Sequence, residues 1–258
     1  MREGTVPGIF ISDGTSVRIP EGGLRLTLPR GDDLPVEASS LTLELALDMW
    51  PHWLDVAIDS ADAARSARSD LIAAMAAEAL DGQAKGRVLE HECKAAMIAM
   101  AAAGIALDNF YAVIQPYVPR FGELQVHFDK GRTPRHSRIS ETMRRTFKVS
   151  QSGAKRLRET VKQLFTFRDW AVHPPAGFRP AIRHDFLDEG VEWRFVAFRA
   201  SNAVTAAWAA TSIIDQCLNA PRARNEALAK WCAGHTERSR LRLERAKAAL
   251  ESSPPRRC

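Results

Sequence analysis

SQSGAKRLRETVKQLFTFRDWAVHPP, residues Ser150 to Pro175, is the stretch whose reading decides the fold. Leu157, Val161, Leu164 and Phe165 recur at helical spacing, which predicts one apolar stripe on a basic amphipathic helix. The next turn of that stripe is Arg168, four residues after Leu164 and seven after Val161. A cation at a core-facing position requires a buried partner or a ligand. Asp169, three mostly apolar residues, His173 and two prolines follow. Pro174 disfavours helical geometry at His173, so the helix is expected to end at about Val172. His173 then lies just past a carbonyl-rich terminus that favours a cation, and Arg168 and His173 are expected to converge on one anion.

The surroundings of this helix are strongly basic. Residues 130–168 carry twelve basic and two acidic side chains, and residues 222–258 carry ten basic and four acidic. Residues 1–60 reverse the sign, with four basic and ten acidic. The distribution suits a polyanionic partner such as RNA, and solvated helix faces are the plain alternative. The start, MREGTVPGIFISDG, has no apolar core of signal-peptide length, and no uninterrupted apolar run suggests a membrane span. A cytoplasmic location and no membrane partner are therefore expected. Cys93, Cys217, Cys232 and Cys258 lie far apart with no Cys-x-x-Cys pair, so reduced thiols are expected.

Taken in order, the chain is mainly α, with a small β segment at its N-terminus. Residues 1–52 form an acidic unit of short strands: GIFIS, SVRIP, LRLTLP and LTLELAL are separated by Gly-containing turns. Helical pattern begins at Trp53, where Arg65 and Arg68 interrupt an apolar line and admit a break between two helices. A second helix is expected from about Arg87 to Gln115, closed by Pro116 and Pro119. Gly104 within it either admits a close neighbour or weakens the middle. Asp108 stands at the edge of its buried face and is a candidate partner for Arg168. His91-Glu92-Cys93 lacks the second histidine of a zinc helix, since Ala95 stands four after His91; a surface His-Glu beside a buried cysteine is expected instead.

FGELQVHFDKGRTPRHSR reads as a connector, and Ser137 or Ser140 is expected to cap a short helix, RISETMRRTF. Ile139, Met143 and Phe147 then face inward. Arg144, Arg145 and Lys148 point elsewhere, as candidate RNA phosphate contacts or a solubilising face. After the prolines, Ile182/Phe186 and Val191/Trp193/Phe195 flank Glu189-Gly190 and suggest a β-hairpin or irregular insertion before the penultimate helix. Ser201 or Asn202 is expected to cap that helix, which ends near Asn219. Residues 221–258 carry a final basic helix with a Gly234-His235 interruption, read as an oligomerisation or partner element, and a tail.

Arg168-Asp169-Trp170-Ala171-Val172-His173-Pro174 resembles the signature of the HEPN superfamily, an arginine followed after four to six residues by a histidine at a helix end. Arg179 with His184 and Arg120 with His127 satisfy the same spacing, but they lack the preceding amphipathic helix, the following proline and the basic surroundings. The resemblance covers residues 53–220. It implies a helical bundle, often a homodimer, and a metal-independent endoribonuclease of a toxin–antitoxin or phage-defence type, with an antitoxin or defence protein as a further partner. Neither metal nor cofactor is expected. In that reading Arg168 clamps the phosphate, His173 serves as acid or base, and Asp169 orients one of them, with Asp108 in support. One histidine supplies half of the proton traffic, so a second copy completes the site. The alternative is a non-catalytic helical module that binds RNA, a nucleotide or a protein.

Overall fold

The computed structural model describes residues 9–12, 15–18, 44–76, 82–118, 120–173, 180–184, 190–221 and 225–252. Its centre is the long helix α2, Gly82–Ile114, laid against α1, Trp50–Ala76. Around this pair run α3 (Phe121–Lys130), α4 (Arg135–Thr146), α5 (Gln151–Val172), the five-residue α6 (Trp193–Ala197), α7 (Ala200–Leu218) and α8 (Glu226–Glu251). Strands β1 (Ile9–Ser12), β2 (Thr15–Arg18) and β3 (Glu44–Leu47) form an antiparallel sheet in that order, and β4 (Ile182–Arg183) pairs with β5 (Gly190–Val191). The mainly helical character is thus observed. The expected strand through Leu24, Leu26 and Leu28 lies outside the described residues.

α2 is buried on most of its circumference because alanines face its neighbours. Ala96, Ala99, Ala103 and Ala106 are buried, and they let α1, α5 and α7 approach while Met100, Leu107 and Phe110 fill the gaps. By length and composition alone the segment Gln83–Tyr117 could cross a membrane, against the reading of the sequence, although 56% of its most apolar window is buried in this bundle. α1 is one continuous helix, so its arginines mark no break. Arg68 is buried and pairs with Glu92 of α2, the Nη1–Oε1 distance being 3.0 Å. Glu92 is therefore a core residue and not part of a surface His-Glu pair, whereas Cys93 is only half-buried.

Five further expectations are corrected. The connector contains α3, whose Leu124 and Phe128 are buried; Arg138 of α4 ties down its end by donating to the Thr133 carbonyl (2.7 Å) and to the Asp129 carboxylate (2.7 Å). Because α4 begins at Arg135, Ser137 and Ser140 lie within the helix and cap nothing. Neither Ser201 nor Asn202 caps α7: the Ala200 amide donates to the Glu92 carboxylate at 2.8 Å, a cap supplied by α2. Trp193 and Phe195 belong to α6 and not to a strand. α8 runs through Gly234-His235 without a break. His235 is buried between Trp50 and Trp231, at ring distances of 5.2 and 4.8 Å, and Trp231 joins the main core.

α5 occupies the predicted span and ends at Val172, where Pro174 forbids continuation. The Ser150 hydroxyl caps its start by accepting from the Gly153 amide at 3.1 Å. Leu157, Val161, Leu164 and Phe165 are its buried residues, as their spacing requires. Gly104 is the point where α5 meets α2: a Cβ placed on it would stand 3.0 Å from the Cβ of Arg168. Alanine at 104 gains about 1 kcal/mol of helix propensity but overpacks the contact with the Arg168 side-chain stem, beginning at its Cβ, which costs about 1–3 kcal/mol. Gly104→Ala is therefore expected to lower the urea midpoint. An unchanged or higher midpoint would show that α5 can retreat freely.

Candidate functional site

Three helices converge where α5 crosses α2. α2 contributes Asp108 and Tyr111, α4 contributes Arg135 and His136, and α5 contributes Arg168 and Asp169. The Arg135 guanidinium covers the Tyr111 ring at 4.5 Å and donates to Asp108 Oδ1 through Nε at 2.7 Å, with Nη2 at 2.6 Å from the same oxygen. The other Asp108 oxygen lies 3.5 Å from Arg168 Nη1. Asp108 thus belongs chiefly to Arg135 and reaches Arg168 as an ion pair only.

Arg168 itself lies over the Phe165 ring at 4.1 Å and donates to Asp169 Oδ1 from Nε (3.1 Å) and Nη2 (2.8 Å). Its side chain is 22% exposed, against 57% for Asp169. The stripe position therefore holds the expected half-sheltered cation, with its aliphatic stem against Gly104 and its head turned to carboxylates at the rim. The Asp169 contact joins adjacent helix residues at the surface, and exposed pairs of this kind contribute about 0–1 kcal/mol. A phosphate oxygen can replace that carboxylate at little cost.

His173 is the C-cap of α5. Its backbone leaves helical geometry at φ −130° and ψ 72°, and its amide donates to the Asp169 carbonyl at 2.7 Å. Its side chain is exposed. Among the described residues no hydrogen bond joins Arg168 to His173, and two groups that meet on one anion need none.

The structure adds a histidine that sequence spacing did not single out. His136, one residue after Arg135 on α4, lies within electrostatic reach of Asp169, Lys162 and Arg158 on α5. Partial burial, reinforced by the two cations, holds its pKa below the usual 6.5, which favours a neutral imidazole at pH 7. Only the i, i+4 relation of Arg135 to Ile139 in the sequence could have hinted that this turn faces the bundle.

Arg144 and Arg145 lie at the opposite end of α4, roughly 13 Å from His136 along the axis at 1.5 Å per residue. They are not part of the Arg168 cluster. Both bind Glu141, whose carboxylate accepts from Arg144 Nε and Nη2 and from Arg145 Nε, each at 2.7 Å. Lys148 is exposed, and its amide donates to the Ala220 carbonyl. The hydrogen bonds from Arg144 and Arg145 pull the Glu141 pKa from 4.5 to about 2. A carboxylate with a lowered folded pKa stabilises fully above its unfolded value and loses that contribution as pH falls through the folded one. Glu141→Gln is therefore expected to be less stable than the wild type at pH 7, with the difference shrinking between pH 4.5 and 2; urea melts across that window check it. Comparison of the chain with protein-family models, with curated proteins and with solved structures yields no match.

Proposed function

We propose that the chain is a metal-independent endoribonuclease of the toxin or phage-defence kind that its HEPN resemblance implies, acting as a homodimer. The carrying observation is Arg168: a part-exposed guanidinium held by Gly104, Phe165 and Asp108, with two donors sharing one oxygen of the exposed, displaceable Asp169. In metal-free RNA cleavage a base removes the 2′-hydroxyl proton and the 2′-oxygen attacks phosphorus. An acid then returns a proton to the departing 5′-oxygen, and a cation steadies the charged transition state. Arg168 supplies the planar fork for the phosphate. His173, exposed at the end of its helix, supplies one proton-transfer group, and a second copy brings the other. Exposed cations of α4 and α5 hold the flanking phosphates. Incubation of the purified chain with total RNA in EDTA tests the reading: fragments are expected, and intact RNA would refute it.

One observation favours a second reading. Arg168 already has carboxylate and aromatic partners, which suits a non-catalytic module that binds RNA, a nucleotide or a protein. That reading expects salt-dependent binding without cleavage.

A further inference from the structure

α5 begins where α7 ends. Phe147 forms a backbone bridge with Pro221, and the Lys148 amide donates to the Ala220 carbonyl at 2.9 Å, so the two helices leave one junction side by side. A cavity of about 590 Å³ opens between them, and its floor and rim differ in chemistry. The floor is apolar: Leu157 of α5 meets Trp208, Ala209 and Ile213 of α7, and these last three lie at the edge of the main core and are only half-buried. A tryptophan and an isoleucine left half-buried in a concave surface still gain from being covered. The rim carries Lys148 and Arg156. Both are exposed, and among the described residues neither has an ion-pair partner. Asp215, the one carboxylate on the wall among the described residues, is buried. It accepts from Asn219 Nδ2 at 3.1 Å and lies within electrostatic reach of Arg240 on α8, so its charge is already answered within the bundle.

We propose that this cavity binds a small amphiphilic anion, an apolar body carrying one carboxylate, of the size of a medium-chain fatty acid. The apolar body lies along Leu157, Trp208 and Ile213, and the carboxylate meets Lys148 and Arg156 at the rim. The rim selects the head group, because a cationic head would meet two like charges and an uncharged head would leave both without a partner. The volume is that of a small-ligand site. Lys148 and Arg156 stand at the start of α5 and Arg168 near its end, so the assignment is independent of RNA cleavage.

Titration of the full chain with decanoate, decanol and decyltrimethylammonium, followed by tryptophan emission and by calorimetry, tests it. Decanoate is expected to bind at least roughly fivefold tighter than decanol, and the cationic amphiphile is expected not to compete with it. Lys148→Glu and Arg156→Glu alter exposed residues without ion-pair partners. Each is expected to leave the melting temperature unchanged while weakening decanoate roughly three- to tenfold. Ala209→Phe fills the apolar floor and should weaken decanoate at least roughly tenfold. Should that variant melt early, Trp208→Phe decides the location: the emission response should be lost while calorimetric binding persists. Decanoate that binds no tighter than decanol, that ignores both charge reversals, or that still shifts the emission of Trp208→Phe overturns the proposal. Tighter binding to phosphatidylglycerol vesicles than to decanoate, lost in the same charge reversals, also overturns it, by making the cavity a membrane contact. None of these outcomes bears on cleavage at Arg168.

Discussion

Glu92→Ala is expected to cost about 3–5 kcal/mol, the usual penalty for removing one partner of a buried ion pair. The carboxylate does two tasks in a place that water does not reach. It accepts from Arg68 at 3.0 Å and from the Ala200 amide at 2.8 Å, so it joins α1, α2 and the first turn of α7. Its loss leaves the buried Arg68 guanidinium short of its carboxylate and an amide at a helix N-terminus without its acceptor. Domains of this kind are stable by only about 5–15 kcal/mol, so the variant is expected to be largely or marginally unfolded at 37 °C. Glu92→Gln keeps an acceptor for Ala200 but not the charge, and it should fall between the wild type and alanine. Arg68→Met with Glu92→Leu removes both charges together, and it is expected to cost less than Glu92→Ala alone. Urea denaturation of the four proteins checks the order. A single-variant cost below about 1 kcal/mol would show that neither task matters.

Glu92 also marks the limit of what local sequence pattern encodes. Interactions between near neighbours were legible: the apolar spacing of α5, its end before Pro174, and the inward faces of Ile139, Met143 and Phe147 follow from periodicity and proline sterics. The suggestion that Asp108 approaches Arg168 came from its place at the edge of a buried face, and the ion pair at 3.5 Å agrees with it. The helix α3 was missed although Phe121, Leu124 and Phe128 have helical spacing, because glycines and a Thr-Pro step frame so short a segment. Glu92 reads as a surface residue for a different reason. Its worth lies in a partner 24 residues away and another 108 away, and no local pattern encodes such pairings. His235 was taken for an interruption for the same reason: Trp50, which shelters it, stands at the other end of the chain. His136 stands out only with α4 set beside α5, because its neighbours Lys162 and Asp169 lie on another helix.

The sharpest expected loss of activity is at His173. If RNA cleavage in EDTA is observed, His173→Ala should reduce it about 10²- to 10⁴-fold, the range for removing a positioned proton-transfer group. The residue is an exposed C-cap, so its replacement is expected to change stability little. Loss of activity with an unchanged melting temperature therefore separates chemistry from folding. Arg168→Ala should lose about 10²- to 10³-fold through the missing transition-state contact. It should also lower stability, because the stem fills the gap over Gly104 and the head covers Phe165. Arg168→Lys retains the charge but not the fork, so it should recover folding more fully than activity. Asp169→Asn removes the carboxylate that occupies the guanidinium in the free chain, and tighter RNA binding is expected from it. A dimeric site adds one more test. In the proposed dimer each phosphate is met by residues from two copies. Mixing His173→Ala with Arg168→Ala chains should then restore part of the activity that each lacks alone. Full cleavage by His173→Ala would remove that residue from the chemistry and leave His136 as the histidine to test next.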